Sequence, residues 1–285
     1  MIIVIGKNSQ IGKELIRVTK NKNIIFLSKK QFDICKKKDF KKLTYKKVNI
    51  ILNFSAYTKV NIKNYNEKKK AFKINVSGLD NLVSFCKKNN IHLIHISSDY
   101  VYKSNKIPKK ENFKLKPLNY YAKTKYLGEQ LILKSLLKFT IIRTSHLFST
   151  YKPNIASIII KKLKSNQDLE MYDNIIFNPT SVQSLAYILN RIISKIEKKE
   201  INKKLILNFA QFPPITPFKF AQYIKKQLKI SESKIKSINY QYGINDDINR
   251  PINSTLDVTK INKLLNINEK YWINDLRRTI KKYEL

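Results

Sequence analysis

Two side chains in the stretch PLNYYAKTKYLGEQL have the types and the spacing to move a proton. Tyr121 and Lys125 stand four apart, which puts both on one face of a helix. A lysine ammonium beside a phenol favours the phenolate and draws its pKa of about 10 toward neutrality. Tyr121 would then protonate a carbonyl oxygen whose carbon accepts hydride. Upstream, in IHISSDYVYKS, an apolar run ends in Ser98 and Asp99, a hydroxyl and a carboxylate at a strand's carboxyl end, where substrates sit. Each feature also has a plain structural reading. Ser98 and Asp99 suit a capped turn, and a Tyr-xxx-Lys pair arises by chance in a chain with 16 Tyr. Together they point to chemistry.

These residues need a scaffold, and the amino terminus describes one. MIIVIGKNSQIGKELIRV runs from an aliphatic strand through a polar turn into the start of a helix. Gly6 permits a tight turn, and Gly12 lets helix and strand pack closely. The position between them lets backbone approach a pyrophosphate at the helix N-terminus. Here that position is Ser9, which takes up room and adds a hydroxyl able to bond phosphate. Apolar runs at 2–5, 24–27, 48–54, 92–97, 140–143 and 205–208 alternate with helical patterns near 10–19, 66–89, 119–137, 153–164 and 181–198. Such alternation predicts an α/β fold, a Rossmann-type doubly wound parallel sheet with its crevice at the carboxyl ends of the strands. After about residue 145 the pattern loosens, and Pro179, Pro213, Pro214, Pro217 and Pro251 punctuate it. The expected division is an NAD(P)-binding domain over 1–145, its sheet completed by parts of 175–210, and a smaller C-terminal α/β substrate-binding lobe over 146–285.

Composition narrows the classes. A chain of 285 residues that is 42% hydrophobic can bury a full core. No apolar run reaches the roughly 18–20 residues of a membrane helix, and residues 1–5 lack the pattern of a signal peptide. Cys35 and Cys86 are far apart and show no metal-ligand spacing, so they read as reduced thiols in a cytoplasmic protein without a metal site. The net charge of +37 invites a nucleic-acid reading. The charge is nearly all Lys, however, and it is spread along the chain rather than gathered in one arm. A dedicated nucleic-acid role is not expected; a basic surface would still attract anionic sugar nucleotides.

Several motifs, in order over nearly the whole chain, carry a family resemblance: GKNSQIGKEL, NFSAYTKVN, ISSDYVY, PLNYYAKTKYLGE, IIRTSHLF and NRPINSTLD. The chain resembles the extended short-chain dehydrogenase/reductases and, among them, the dTDP-4-dehydrorhamnose reductase family. The resemblance implies NADPH-dependent reduction of the C4 ketone of a 4-keto-6-deoxy nucleotide sugar, dTDP-4-dehydro-L-rhamnose going to dTDP-L-rhamnose. By position, Tyr121 is the general acid, and Lys125 holds the nicotinamide ribose and tunes Tyr121. Ser98 stands for the family's Thr and bonds the 4-keto oxygen, and Asp99 binds the sugar or orients Ser98. Gly6, Ser9, Gln10, Ile11 and Gly12 form the pyrophosphate turn. Asp33 and Ile34 meet adenine, Ala56, Tyr57 and Thr58 line the cofactor, and Ile96 backs the nicotinamide. Arg250 and Asn253, with Arg143, Asn178 and Pro179, belong to the architecture of the sugar side.

The chain departs from the pattern at Ser9, at Asn61 where an Asp is usual, and at two further places. Ser28 and Lys29 follow the second strand with no acid for an adenosine 2′-hydroxyl, which favours NADPH and leaves NADH second. His146 stands where the family has a Trp that packs on the substrate, so the sugar identity is open. Two other classes share the scaffold. One is a non-catalytic nucleotide-sensing subunit, like the regulatory subunit of methionine adenosyltransferase. The other is a reductase or epimerase of another nucleotide sugar; a dehydratase would carry an acid at Tyr100. Whether the chain forms a homodimer is open in the sequence.

Overall fold

In the computed structural model, which describes residues 1–44, 47–151, 153–244 and 246–284, a six-stranded sheet runs through the centre of the protein. The strands are β1 (Ile2–Ile5), β2 (Ile24–Leu27), β3 (Ile50–Asn53), β4 (His92–Ser98) and β5 (Phe139–Thr144), then β6 (Leu147–Phe148), β7 (Leu169–Tyr172), β8 (Thr180–Ser181), β9 (Leu205–Phe209) and β10 (Ile235–Ile238). The large sheet has the order β2-β1-β3-β4-β5-β9, and every neighbouring pair is parallel. The helices are α1 (Gln10–Val18), α2 (Tyr65–Phe72), α3 (Leu79–Lys88), α4 (Tyr120–Lys134), α5 (Ile155–Lys164), α6 (Val182–Glu197), α7 (Pro217–Leu228), α8 (Thr259–Leu265) and α9 (Trp272–Glu284).

Successive strand residues point to opposite faces, and both faces are covered. Ile2, Val4 and Leu52 pack with Leu15 of α1 and Leu185 and Leu189 of α6. Ile3, Ile5 and Ile51 pack on the other side with Leu79, Leu82 and Cys86 of α3. That is why Ile2 through Ile5 are all buried, and why uninterrupted aliphatic runs mark these strands in the sequence. The chain leaves β1 toward β2 on one side and returns to β3 on the other, so a crevice opens at the carboxyl ends of β1 and β3.

A third core joins α5, α7 and α9 through Phe148, Ile160, Phe177, Phe220, Trp272 and Leu276. Two short parallel pairs, β6 with β8 and β7 with β10, complete this part. The segment read as one helix over 66–89 is interrupted by a π-helical stretch, Lys73–Gly78, between α2 and α3. Such insertions concentrate at functional sites, and this one buries Asn75. Both cysteines are free. Among the described residues, no helix is long and apolar enough to cross a membrane.

Candidate active site

The turn after β1 leaves no room for side chains at its glycines. Gly6 has φ +99°, and a Cβ on Gly12 would lie 2.4 Å from the Gly6 carbonyl oxygen and 2.7 Å from that of Lys7. Ser9 needs no such freedom, because its backbone is extended at φ −69°, ψ 161°. Its hydroxyl accepts the Gly12 N–H at 2.9 Å and caps α1. The first-turn N–H groups of Gln10 and Ile11 have no intrahelical acceptor and sit at the positive end of the helix dipole. Ile11 is buried in the core, and Gln10 Oε1 accepts from Ser149 Oγ at 2.6 Å and from Asn154 Nδ2 at 3.3 Å, tying the turn to the segment after β6 and to the cap of α5. These donors, beside the partly exposed Gly6, fit a pyrophosphate.

Around that turn, Ser28 directs its N–H and hydroxyl at Gln31 Oε1, 2.9 and 2.8 Å away, and Lys29 is exposed. Asp33 accepts from the Cys35 N–H at 2.9 Å, and Ile34 is buried beside it. After β3, Ala56 and Tyr57 are partly exposed and Thr58 is exposed. Asn75 holds the Tyr57 backbone at both ends, accepting its N–H at 2.8 Å and donating to its carbonyl at 3.0 Å.

Asn119 caps α4 by accepting the Ala122 N–H at 2.9 Å, and Tyr121 follows in the first turn. The Ser98 hydroxyl is close enough to the Tyr121 phenol to act on its titration. Ser98 in turn donates to Asp99 Oδ1 at 2.9 Å, and Ser145 donates to Asp99 Oδ2 at 2.8 Å. The carboxylate thus orients both hydroxyls. Burial pushes the Tyr121 phenol above its ordinary value; Ser98 opposes this, and the charge of Asp99 adds to it.

Tyr121 and Lys125 lie one turn apart on α4, and the Tyr121 phenol is governed first by burial, with Ser98 lowering its pKa and Asp99 and Tyr100 raising it. The Lys125 side chain reaches across to β4, donating to the Ile96 carbonyl at 2.7 Å and meeting His95 Nε2 at 3.3 Å. Desolvation lowers its pKa to about 8 against the pull of Glu129. A phenol raised in this way keeps its proton at neutral pH, which is the form a general acid needs.

His146 closes the far side of the crevice in a left-handed backbone conformation, φ 29°. Its ring lies on Phe177 with centroids 4.3 Å apart, and its Nδ1 is 3.2 Å from Ser145 Oγ. Burial lowers its pKa; Asp99 opposes the shift and Arg250 adds to it. Arg250 pairs with Asp246 at 2.5 Å, and its charge lies near the buried Tyr100 phenol, whose ring stands edge-on to Tyr121 at 6.4 Å.

The remaining candidates are engaged in holding loops. Arg143 is buried and bonds Glu129, Tyr102 and the Glu111 carbonyl. Asn178 ties the Gln211 carbonyl to the Leu256 N–H, and Pro179 is buried next to it. The Asn253 amide is taken up by Thr255, Lys109 and the Lys106 carbonyl. Sequence reasoning missed Asn75, Asn53, His95 and Ser145. A polar Asn in a helix interior was a usable signal for the first, since Asn disfavours that position unless its amide is employed. Among the described residues, no three His, Cys, Asp or Glu side chains gather as a metal site.

The family model described as RmlD substrate binding domain matches residues 1–285. The chain belongs to that family. A curated relative, dTDP-4-dehydrorhamnose reductase from Aggregatibacter actinomycetemcomitans, is 29% identical over 97% of this chain and 97% of its own length. The reductase of the same name from Sinorhizobium fredii is 24% identical over 98% and 96%. Among solved structures, a dTDP-4-dehydrorhamnose reductase from Clostridium acetobutylicum superposes with a TM-score of 0.88 at 25% identity, covering 100% of this chain and 99% of its own. One from Bacillus anthracis, in complex with NADP, shares the fold with a TM-score of 0.86 at 24% identity over 99% and 98%.

Proposed function

We propose that the chain reduces the C4 ketone of a 4-keto-6-deoxy nucleotide sugar with NADPH, and that the sugar is dTDP-4-dehydro-L-rhamnose. The observation that carries this reading is the buried Tyr121 phenol gathered with Ser98, Asp99 and Tyr100 at the carboxyl end of β4, in a protein whose β1-to-α1 turn fits a pyrophosphate. Gly6, Ser9, Gln10, Ile11 and Gly12 would hold the pyrophosphate, and Asp33 and Ile34 the adenine. Ser28 and Lys29 would take the 2′-phosphate. Ala56, Tyr57, Thr58 and Ile96 would wall the nicotinamide half, with Lys125 at its ribose. Once bound, the cofactor supplies the hydride.

The protein supplies the proton and the alignment. Tyr121 gives its phenolic proton to the C4 oxygen as negative charge builds there. The Ser98 hydroxyl, which in the free protein donates its one O–H to Asp99, would turn that proton to the C4 oxygen and hold the oxygen in line. His146 and Arg250 face the sugar from the other wall, and residues 146–285 mainly carry the substrate while 1–145 carry the cofactor. Free Cys35 and Cys86 suit the cytoplasm.

The test is NADPH oxidation, followed at 340 nm, on addition of dTDP-4-dehydro-L-rhamnose. Tyr121→Phe is expected to lower kcat by about 10²–10⁴ while NADPH affinity stays within about twofold of wild type. A Phe variant that turns over like wild type would remove Tyr121 from the role of acid.

A further inference from the structure

We propose that Asn53 and His95 are positioning residues that set the protonation of Lys125, by presenting it with an N–H rather than a lone pair. The inference rests on the reading above for its use in catalysis, but its geometry stands alone. Asn53 and His95 are direct partners in the β3 and β4 register. The Ser55 N–H donates to Asn53 Oδ1 at 3.0 Å, which fixes the amide's orientation. Asn53 Nδ2 therefore faces His95 Nδ1, 3.3 Å away. An amide nitrogen only donates, so Nδ1 must accept.

His95 is 3% exposed, and burial, with the charge of Lys125 adding to it, keeps the ring neutral. A neutral imidazole carries one N–H, so the proton sits on Nε2. Nε2 lies 3.3 Å from Lys125 Nζ. An ammonium has three N–H bonds and no lone pair, and it meets Nε2–H as donor against donor. A neutral amine satisfies both contacts, accepting from Nε2–H and donating to the Ile96 carbonyl at 2.7 Å.

The other charges around α4 do not reverse this. Glu129, on the same helix, favours the ammonium but is itself held by Arg143 of β5 at 3.0 and 2.6 Å. Asp99, in the turn after β4, is engaged by Ser98 and Ser145. From the segment over 65–88, the buried polar group is the neutral Asn75, bonded to Thr124. The Lys68, Lys69, Lys70, Lys73, Asp80, Lys87 and Lys88 side chains of that segment are exposed, and Glu67 is paired with Lys59. Tyr121 itself is neutral. A lysine held at this balance changes charge near pH 8, and in the reading above it lies at the nicotinamide ribose, so its protonation reaches kcat/KM and NADPH binding alike.

The chain has three histidines, His92, His95 and His146, so 15N-labelled histidine gives few and assignable signals. Long-range 1H–15N correlation of the whole ligand-free protein is expected to show His95 as the neutral Nε2–H tautomer from about pH 6 to 9. An Nδ1–H tautomer or an imidazolium would overturn the proposal. Asn53→Asp supplies two acceptor oxygens, one for the Ser55 N–H and one for an Nδ1–H. The His95 tautomer should flip, the Nε2 lone pair should face Lys125, and the basic limb of the kcat/KM profile should rise by about one pH unit. A flipped tautomer with an unmoved limb would sink the idea. Because the new carboxylate also raises a nearby lysine by its charge, the neutral His95→Gln must show the upward shift as well, and an unmoved limb there would equally overturn the proposal. Should Asn53→Asp fail to fold, His95→Gln places an amide oxygen before Lys125, and the same upward shift is expected. The shift is also read in the pH dependence of NADPH binding by fluorescence. A chain that binds NADPH but reduces no sugar would thus overturn the proposed function and leave this test intact.

Discussion

Lys125 is 3% exposed, donates to one carbonyl at 2.7 Å, and has its pKa lowered from 10.5 to about 8, first by desolvation. The unfolded chain keeps this proton up to about pH 10.5, whereas the folded chain releases it near 8. Between those values the unfolded state binds more protons, so stability rises with pH; below the lower value the full cost is present. Lys125→Met keeps the stem and removes the charge. After about 1 kcal/mol for the lost carbonyl bond, the variant should be more stable by about 2 kcal/mol at pH 7, with the gain gone near pH 10.5. Urea unfolding at both pH values checks this, and a variant less stable at pH 7 would show that the lysine's contacts outweigh its desolvation. The sequence exposes the helical spacing of Tyr121 and Lys125 but not this balance. The partner that matters, His95, is 30 residues upstream, and Asn53 is 42 residues before that on another strand. Only the sheet register brings the three together.

At the scale of elements, the β1-to-α1 turn is where sequence and geometry agree most closely, and Gly12 carries it. A Cβ there would meet two backbone oxygens, at 2.4 and 2.7 Å, and neither can yield without moving the strand. Gly12→Ala is expected to cost about 2–4 kcal/mol and to abolish NADPH binding, read by thermal melting and fluorescence titration. Melting at the wild-type temperature would mean that the turn is looser than its contacts imply. The six sheet strands were legible because two covered faces force short, mostly apolar runs, unbroken in β1 and β2 and interrupted by His, Thr, Arg or Asn in β4, β5 and β9. The third core was not. β6 and β8 have two residues each, β7 and β10 pair only with each other, and none of these lengths stands out from loop sequence. α7 did leave a signal: Thr216 caps it, accepting from the Lys219 N–H at 3.2 Å, and Pro217 opens its first turn. The π-helical stretch over Lys73–Gly78 had no such mark, since hydrophobic spacing reads straight through it.

For the molecule as a whole, charge sets two opposing responses to salt. The 57 basic residues outnumber the 20 acidic ones, giving +37, and Glu14, Asp39, Asp99 and Glu129 are among the acids buried away from the surface. Lys109, Lys125 and Arg143 are buried too, so nearly the whole net charge lies on the exposed surface. Like charges held at folded spacing repel, and salt relieves this once the screening length falls to about 10 Å near 0.1 M. The same field draws in an anionic nucleotide sugar, and salt weakens that attraction too. Raising NaCl from about 0.02 M to about 0.5 M should lift the melting temperature by about 3–8 °C and lower kcat/KM for the sugar about 3–10-fold. Opposite signs are the diagnostic feature. A general effect of salt on hydrophobic burial would raise stability without a matching loss in substrate capture, and salt-induced damage would lower both. If kcat/KM falls while the melting temperature stays flat, the lysines steer substrate without straining the fold, and the excess charge is then spread widely enough for the compact state to tolerate it.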